Sequence, residues 1–119
     1  MASDTQPNIT AALLREIVAT MIRRDDPGLS VYQMAVFLTC YQDEGEQTVR
    51  GLAQTMGASK AGINRAFDKL VERGLLARRT DTADGRAVYA AHTEAGAALM
   101  AEFADIAATF HKQAPARAA

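Results

Sequence analysis

A chain of 119 residues has room for one hydrophobic core. It is too short for a (β/α)8 barrel of roughly 250 residues, or for a nucleotide-binding domain joined to a substrate domain. Hydrophobic residues make up 49% and charged residues 23%, the balance of a globular protein rather than a disordered one, and the net charge of −1 does not by itself favour a polyanionic partner. The single cysteine, Cys40, excludes an intramolecular disulfide and a cysteine-rich zinc site. No apolar run approaches the roughly 18 residues of a membrane span, so no membrane partner is expected. The segment Met1–Pro7 carries Asp4 and lacks the basic, apolar and cleavage regions of a signal peptide. The cytoplasm is the expected location.

In chain order, residues 1–7 read as a loose tail. Asn8 caps a helix to about Arg24. Leu13, Ile17 and Met21 form one apolar row of this helix, and Leu14, Val18 and Ile22 form an adjacent one. Asp25-Asp26-Pro27-Gly28 stops it. Ser30 and Gln33 form a capping box for a helix over about 30–42, with Val31, Met34, Phe37, Leu38 and Tyr41 on one face. A polar loop, Asp43 to Gln47, follows. Thr48 caps a short helix carrying Val49, Leu52, Ala53 and Met56, and Gly57 supplies its left-handed exit. Ser59 caps a fourth helix to about Arg73, with Ile63, Phe67, Leu70 and Val71 on its core side and Gly74 past its end. Leu75–Thr80 and Val88–Ala91 read as two strands, joined through the hairpin signal Asp84-Gly85. Thr93 opens a last helix with Leu99, Phe103, Ile106 and Phe110 on one side, and Ala98 and Ala107 permit close approach there. Residues 113–119 read as a second flexible tail.

Charge is unevenly spread. From Thr48 to Arg86 there are eight basic and four acidic residues, a balance of +4; the rest of the chain has five basic and ten acidic residues, a balance of −5. Such asymmetry suits one face to a polyanion. The same region has the order short helix, tight turn, second helix, hairpin, which is that of a winged helix-turn-helix. The fold expected is therefore mainly α with a small β-hairpin wing. Its DNA-binding lobe spans about 48–92 and its terminal helices about 8–24 and 93–112, all within one domain over 1–119.

On the second helix of that lobe, core residues centre near ~20° when Ile63 is set at zero, and Arg65 falls at about 200°, nearly opposite. Ala61, Gly62 and Lys69 flank this outward ridge, and Lys60 and Asn64 lie at the sides, near the phosphate walls of a major groove. Small residues in the first turn let the backbone approach base edges, and Arg65 is placed to reach a guanine O6/N7 pair. Asp68 and Glu72 also face outward and would repel phosphate, so the amino-terminal half is the part expected to enter the groove. An ordinary amphipathic surface helix has the same periodicity; the hairpin that follows favours the DNA reading.

The runs Leu52-Ala53-Gln54-Thr55-Met56-Gly57-Ala58-Ser59-Lys60, Ile63-Asn64-Arg65, Leu70-Val71-Glu72-Arg73-Gly74-Leu75, Asp84-Gly85-Arg86-Ala87 and Thr93-Glu94-Ala95-Gly96 resemble the MarR family of bacterial transcription regulators. The resemblance runs from the first helix to the last. It implies a homodimeric winged-helix protein that binds double-stranded DNA, commonly a repressor, without a cofactor. It also implies that Arg65 reads the groove, that Arg86 is the wing arginine, that Asp84 fixes it, and that Ser59 and Lys60 take cap and phosphate-contact positions. The expected DNA-facing set is Thr48, Arg50, Ser59, Lys60, Ala61, Gly62, Asn64, Arg65, Lys69, Arg79 and Arg86. The expected dimer surface is Leu13, Ile17, Met21, Leu99, Phe103, Ile106 and Phe110, because the middle elements are already consumed by the lobe. There are departures. Ser or Thr is common in the family where Ala61 and Gly62 stand, Gly85 stands where a second wing arginine is frequent, and His92 replaces an apolar residue. The chain is also short for the family, with little left for a further carboxy-terminal dimerisation helix.

Other chemistry finds little support. Cys40 has no cationic sequence neighbour to lower its thiol pKa, so it reads as a small buried hydrophobe rather than a peroxide sensor. His92 and His111 lack metal-ligand spacing, and no phosphate loop or nucleophile elbow is present. An enzyme is not expected. For a small-molecule effector, no cation cluster outside the lobe marks a pocket; Arg15, Arg23 and Arg24 are the only candidates, and helix-surface salt bridges explain them equally well. The rival class is a winged helix that has become a protein-interaction adapter, which a gel shift on duplex DNA would separate from a DNA reader.

Overall fold

The computed structural model describes residues 8–24, 28–81, 83 and 87–113. Five helices and a small antiparallel sheet follow in the order α1 (Ile9–Arg23), α2 (Val31–Gln42), β1 (Gln47–Thr48), α3 (Val49–Met56), α4 (Lys60–Glu72), β2 (Leu76–Thr80), β3 (Val88–His92) and α5 (Glu94–Gln113). The expected winged helix-turn-helix is present, and its boundaries follow the local signals. The Asn8, Thr48 and Ser59 side chains accept from the backbone N–H groups of Ala11, Gly51 and Gly62, and Ser30 forms the full capping box with Gln33. Gly57 leaves α3 at φ 61°, a left-handed conformation that costs other residues energy.

Two compact units can be distinguished. One is Leu29–Met100; the other comprises the described residues up to Gly28 and from Ala101 onward. The first therefore takes in α2 and the opening turns of α5 as well as the helix-turn-helix and sheet. Its core is Val36, Phe37, Leu52, Ile63, Phe67, Leu70 and Leu76, all fully buried. Each such side chain contributes roughly 1.5–3 kcal/mol of transfer free energy.

The sheet has three strands rather than the two expected. Its order is β1-β3-β2, with Gln47 opposite Ala90, Thr48 opposite Tyr89, and Thr80 opposite Val88. The end of the supposed polar loop pairs with the open edge of β3. The Asp81 N–H donates to the Ala87 carbonyl as the hairpin closes, while the Asp84-Gly85 turn itself lies outside the described residues. The face assigned to α2 also needs correction. Val31 is 86% exposed, whereas Val36, Phe37 and Cys40 are buried.

A polar knot joins α2, β2, β3 and the start of α5. The Tyr41 hydroxyl donates to the Leu75 carbonyl (2.8 Å) and accepts from the Thr93 N–H (3.0 Å). The Thr93 hydroxyl donates to the Gly74 carbonyl (2.7 Å) and accepts from the Gly96 N–H (2.9 Å). A Cβ on Gly96 would collide with the Tyr41 hydroxyl and the Leu75 carbonyl, so this position needs glycine. His92, the unusual residue before Thr93, stacks on Tyr41 at 4.1 Å. Its Nε2–H donates to the Cys40 carbonyl (2.7 Å), near the carboxy-terminal end of α2, where helix carbonyls run out of backbone donors. Burial, aided by the charge of Asp43, pushes the Cys40 thiol up to about 12. The thiol stays protonated at neutral pH.

In the terminal unit, Arg23 pairs with Glu16 (3.1 Å) and Arg24 with Glu102 (2.6 Å). The surface expected to receive a second subunit is partly used within the chain. Met21, Leu99 and Phe103 are buried, and Leu13, Ile17, Ile106 and Phe110 are half-buried. The uncovered row of α1 is the adjacent one: Leu14, Val18 and Ile22, the last 76% exposed. With Ala11, Arg15 and Ala19 they line an open apolar groove of about 400 Å³.

Candidate nucleic-acid interface

The helix α4 is held from two sides. Its buried residues are Gly62, Ile63, Ala66, Phe67 and Leu70, while Ala61, Asn64, Arg65, Asp68, Lys69 and Glu72 are exposed. Arg65 thus points outward, as the helical wheel predicts. Gly62 does not. A Cβ there would come within 3.0–3.1 Å of the Tyr32 ring of α2, so the first turn is small because α2 covers it, rather than to admit a base edge. The apolar arc extends further towards α2 than large side chains alone indicate, because Gly62 and Ala66 complete it.

On the other flank, Thr48, Val49 and Arg50 at the start of α3, Lys60 and Asn64 of α4, and Ala87 and Val88 of the sheet line a cleft of about 460 Å³. Thr48 and Ser59 spend an oxygen lone pair on capping α3 and α4. Each hydroxyl keeps its proton and can donate to an anion beside the helix amino terminus.

The exposed cations fall into two groups. Arg50, Lys60 and Arg65 form no ion pair with any described residue. Lys69, Arg78 and Arg79 do. Lys69 meets Glu72 at 3.2 Å, one turn along the same helix. Arg78 pairs with Asp68 and lies over the Phe67 ring at 5.3 Å. Arg79 grips Glu46 with both ends of its guanidinium, its Nε 2.7 Å from the carboxylate, and lies 4.8 Å over Tyr89. The hydrogen bond to Glu46 raises the Arg79 pKa further above its ordinary value. These pairs also answer the expected repulsion, since Asp68 and Glu72 each carry a cation.

Lys69 and Arg79 were expected at the DNA surface; both are engaged with carboxylates, which a phosphate would have to displace. Sequence spacing could not reveal the Arg79–Glu46 pair, whose members lie 33 residues apart. Asp84 and Arg86 of the expected wing tip lie outside the described residues. Among the described residues no three of His, Cys, Asp and Glu gather as metal ligands would, and no helix is long and apolar enough to cross a membrane.

A sequence model of the MarR family matches residues 28–87. Solved structures are similar over most of the chain. A MarR-family transcriptional regulator of Rhodococcus sp. RHA1 is 26% identical with a TM-score of 0.62, covering 88% of this chain and 71% of its own. CouR of Rhodococcus jostii RHA1, in a crystal structure bound to p-coumaroyl-CoA, is 29% identical with a TM-score of 0.62, covering 93% and 76%. A transcriptional regulator of Thermotoga maritima is alike in fold, at 20% identity and a TM-score of 0.70, covering 88% and 74%. No curated protein matches. The family and these structures are of transcriptional regulators, not enzymes.

Proposed function

The chain belongs to the MarR family of transcriptional regulators, and on that premise we propose that it is a dimeric repressor reading a pseudo-palindromic duplex through α4 and the wing. The observation that carries this reading is the outward stripe of α4. It presents Arg65 between its own polar neighbours, beside a cleft where Arg50 and Lys60 have no acidic partner among the described residues. Arg65 is the groove reader. Arg50, Lys60, Thr48 and Asn64 hold the backbone on one wall of the groove and Ser59 meets it at the amino terminus of α4, where phosphate contacts fix register and base contacts supply specificity.

The second subunit packs on the row Leu14, Val18 and Ile22 of α1, whose apolar surface has no cover among the described residues. A twofold dimer of winged helices reads two half-sites about one DNA turn apart, so the expected site is a pseudo-palindrome. Repression follows where the site overlaps a promoter. The ligand in the CouR structure makes aromatic acids and their thioesters the effector class to screen by thermal shift.

The test is a gel shift of the purified protein on genomic duplex fragments at two salt concentrations. A DNA reader retains some fragments and loses them steeply with salt, as counterion release requires. Silence on every duplex at both concentrations supports the adapter class instead.

A further inference from the structure

The geometry points to Tyr32 of α2 as a second-wall DNA contact, its phenol donating to a backbone phosphate on the side of α4 opposite the Arg50–Lys60 cleft. This rests on the reading of α4 as the helix that enters the groove.

Three observations meet at this residue. First, the ring lies directly on the first turn of α4: a Cβ placed on Gly62 would meet Tyr32 Cε1 at 3.0 Å and Cζ at 3.1 Å, beside the capping Ser59 Oγ at 3.1 Å. The hydroxyl-bearing end of the ring, not its root, is therefore at the amino terminus of the helix. Second, Tyr32 is 45% exposed although its ring packs on a buried glycine. Its hydroxyl has no hydrogen-bond partner among the described residues. Third, α4 is asymmetric around Arg65. Lys60 and Asn64 line the cleft on one flank, and Lys60 has no ion pair with a described residue, whereas on the Gly62 flank Lys69 is held by Glu72 at 3.2 Å and the Ser59 hydroxyl caps the helix through the Gly62 N–H. A major groove about 12 Å wide has a phosphate wall on each side. On the Gly62 flank that wall calls for a donor beyond the paired Lys69 and the capping Ser59. Tyr32 supplies that donor from a neighbouring helix, and Gly62 is the residue that lets it reach.

Tyr32→Phe keeps the ring on Gly62 and removes only the donor. On a duplex retained by the wild-type protein, its affinity should fall about tenfold per protomer, the scale of one hydrogen bond to a charged group, with an unchanged melting temperature. Duplexes carrying a single neutral methylphosphonate at successive positions locate the contact. One position should weaken the wild type and leave Tyr32→Phe indifferent. Gly62→Ser should push the ring aside and lose a similar factor, despite restoring a hydroxyl to α4. Equal affinity of Tyr32→Phe and wild type, or equal response of both to every methylphosphonate, overturns the Tyr32 assignment while Arg65→Ala still tests the groove reading. A wild-type protein that retains no duplex removes both.

Discussion

The unit Leu29–Met100 and the terminal unit bury their apolar residues to very different degrees. In the first, seven large side chains on α2, α3, α4 and β2 are sealed from solvent, and a polar knot around Tyr41 and Thr93 satisfies the backbone where four elements meet. In the second, α1 has equally apolar rows, yet only Met21 is buried on it, and Leu14, Val18 and Ile22 stand open. Both helix sets are amphipathic. The difference is that one apolar set is closed by its own chain, whereas no described residue closes the other. Hydrophobic periodicity reports that a face wants covering, and leaves open whether the same chain or another supplies the cover.

The comparison can be broken from either side. The largest effect should come from Gly96→Ala, which drives a methyl group into the Tyr41 hydroxyl and the Leu75 carbonyl. Overpacking and the lost hydrogen bonds together should cost about 3–5 kcal/mol. Chemical denaturation measures it, and a loss under about 1 kcal/mol would show that the knot yields easily.

Ile22→Asp attacks the other unit. On the proposed pairing it places two carboxylates in a twofold apolar contact, weakening the dimer about a hundredfold. The denaturation midpoint at dilute, monomeric concentration should hardly move, since Ile22 is exposed in the single chain. Sedimentation or light scattering across micromolar concentrations decides; an unchanged mass would place the interface elsewhere. Phe103 is a poorer probe, because its burial within the chain mixes folding with association.

Tyr41→Phe should cost about 1–3 kcal/mol, because the Leu75 carbonyl loses its donor and the Thr93 N–H its acceptor. A further effect, confined to alkaline pH, comes from Cys40. Its thiol pKa is raised from 9.0 to about 12 in the folded chain. That contribution to stability is complete below the unfolded value and falls as pH rises from about 9 towards 12. Replacing Cys40 with Ala should flatten this part of the stability curve, and the native thiol should react slowly with alkylating reagents at neutral pH.

Element positions were legible from sequence because caps and glycines are local signals. Asn8, Ser30, Thr48, Ser59 and Gly57 mark ends that the structure reproduces to within a residue or two. What was not legible depended on neighbours distant in sequence. Gln47 and Thr48 carry no strand pattern, and pair only because β3 has a free edge. The α2 segment is apolar almost all round, so its periodicity is smeared, and Val36 rather than Val31 goes inside. Gly62 and Ala66 are small, and their burial became visible only with Tyr32 and the rest of α2 in place. Of the candidate interface, the outward position of Arg65 was readable. The division of cations into paired and unpaired was not, since Glu46 meets Arg79, and Asp68 meets Arg78, through tertiary structure.

The central claim is that the exposed stripe of α4 reads DNA through Arg65. Its most direct test is the ratio of affinities for a selected duplex and for random DNA, measured at one salt concentration for wild type and Arg65→Ala. Losing an arginine–guanine contact costs about 1–3 kcal/mol per half-site, so the ratio should collapse by one to two orders of magnitude or more across a dimer, with the fold unchanged. A ratio equal to that of the wild type would contradict the account.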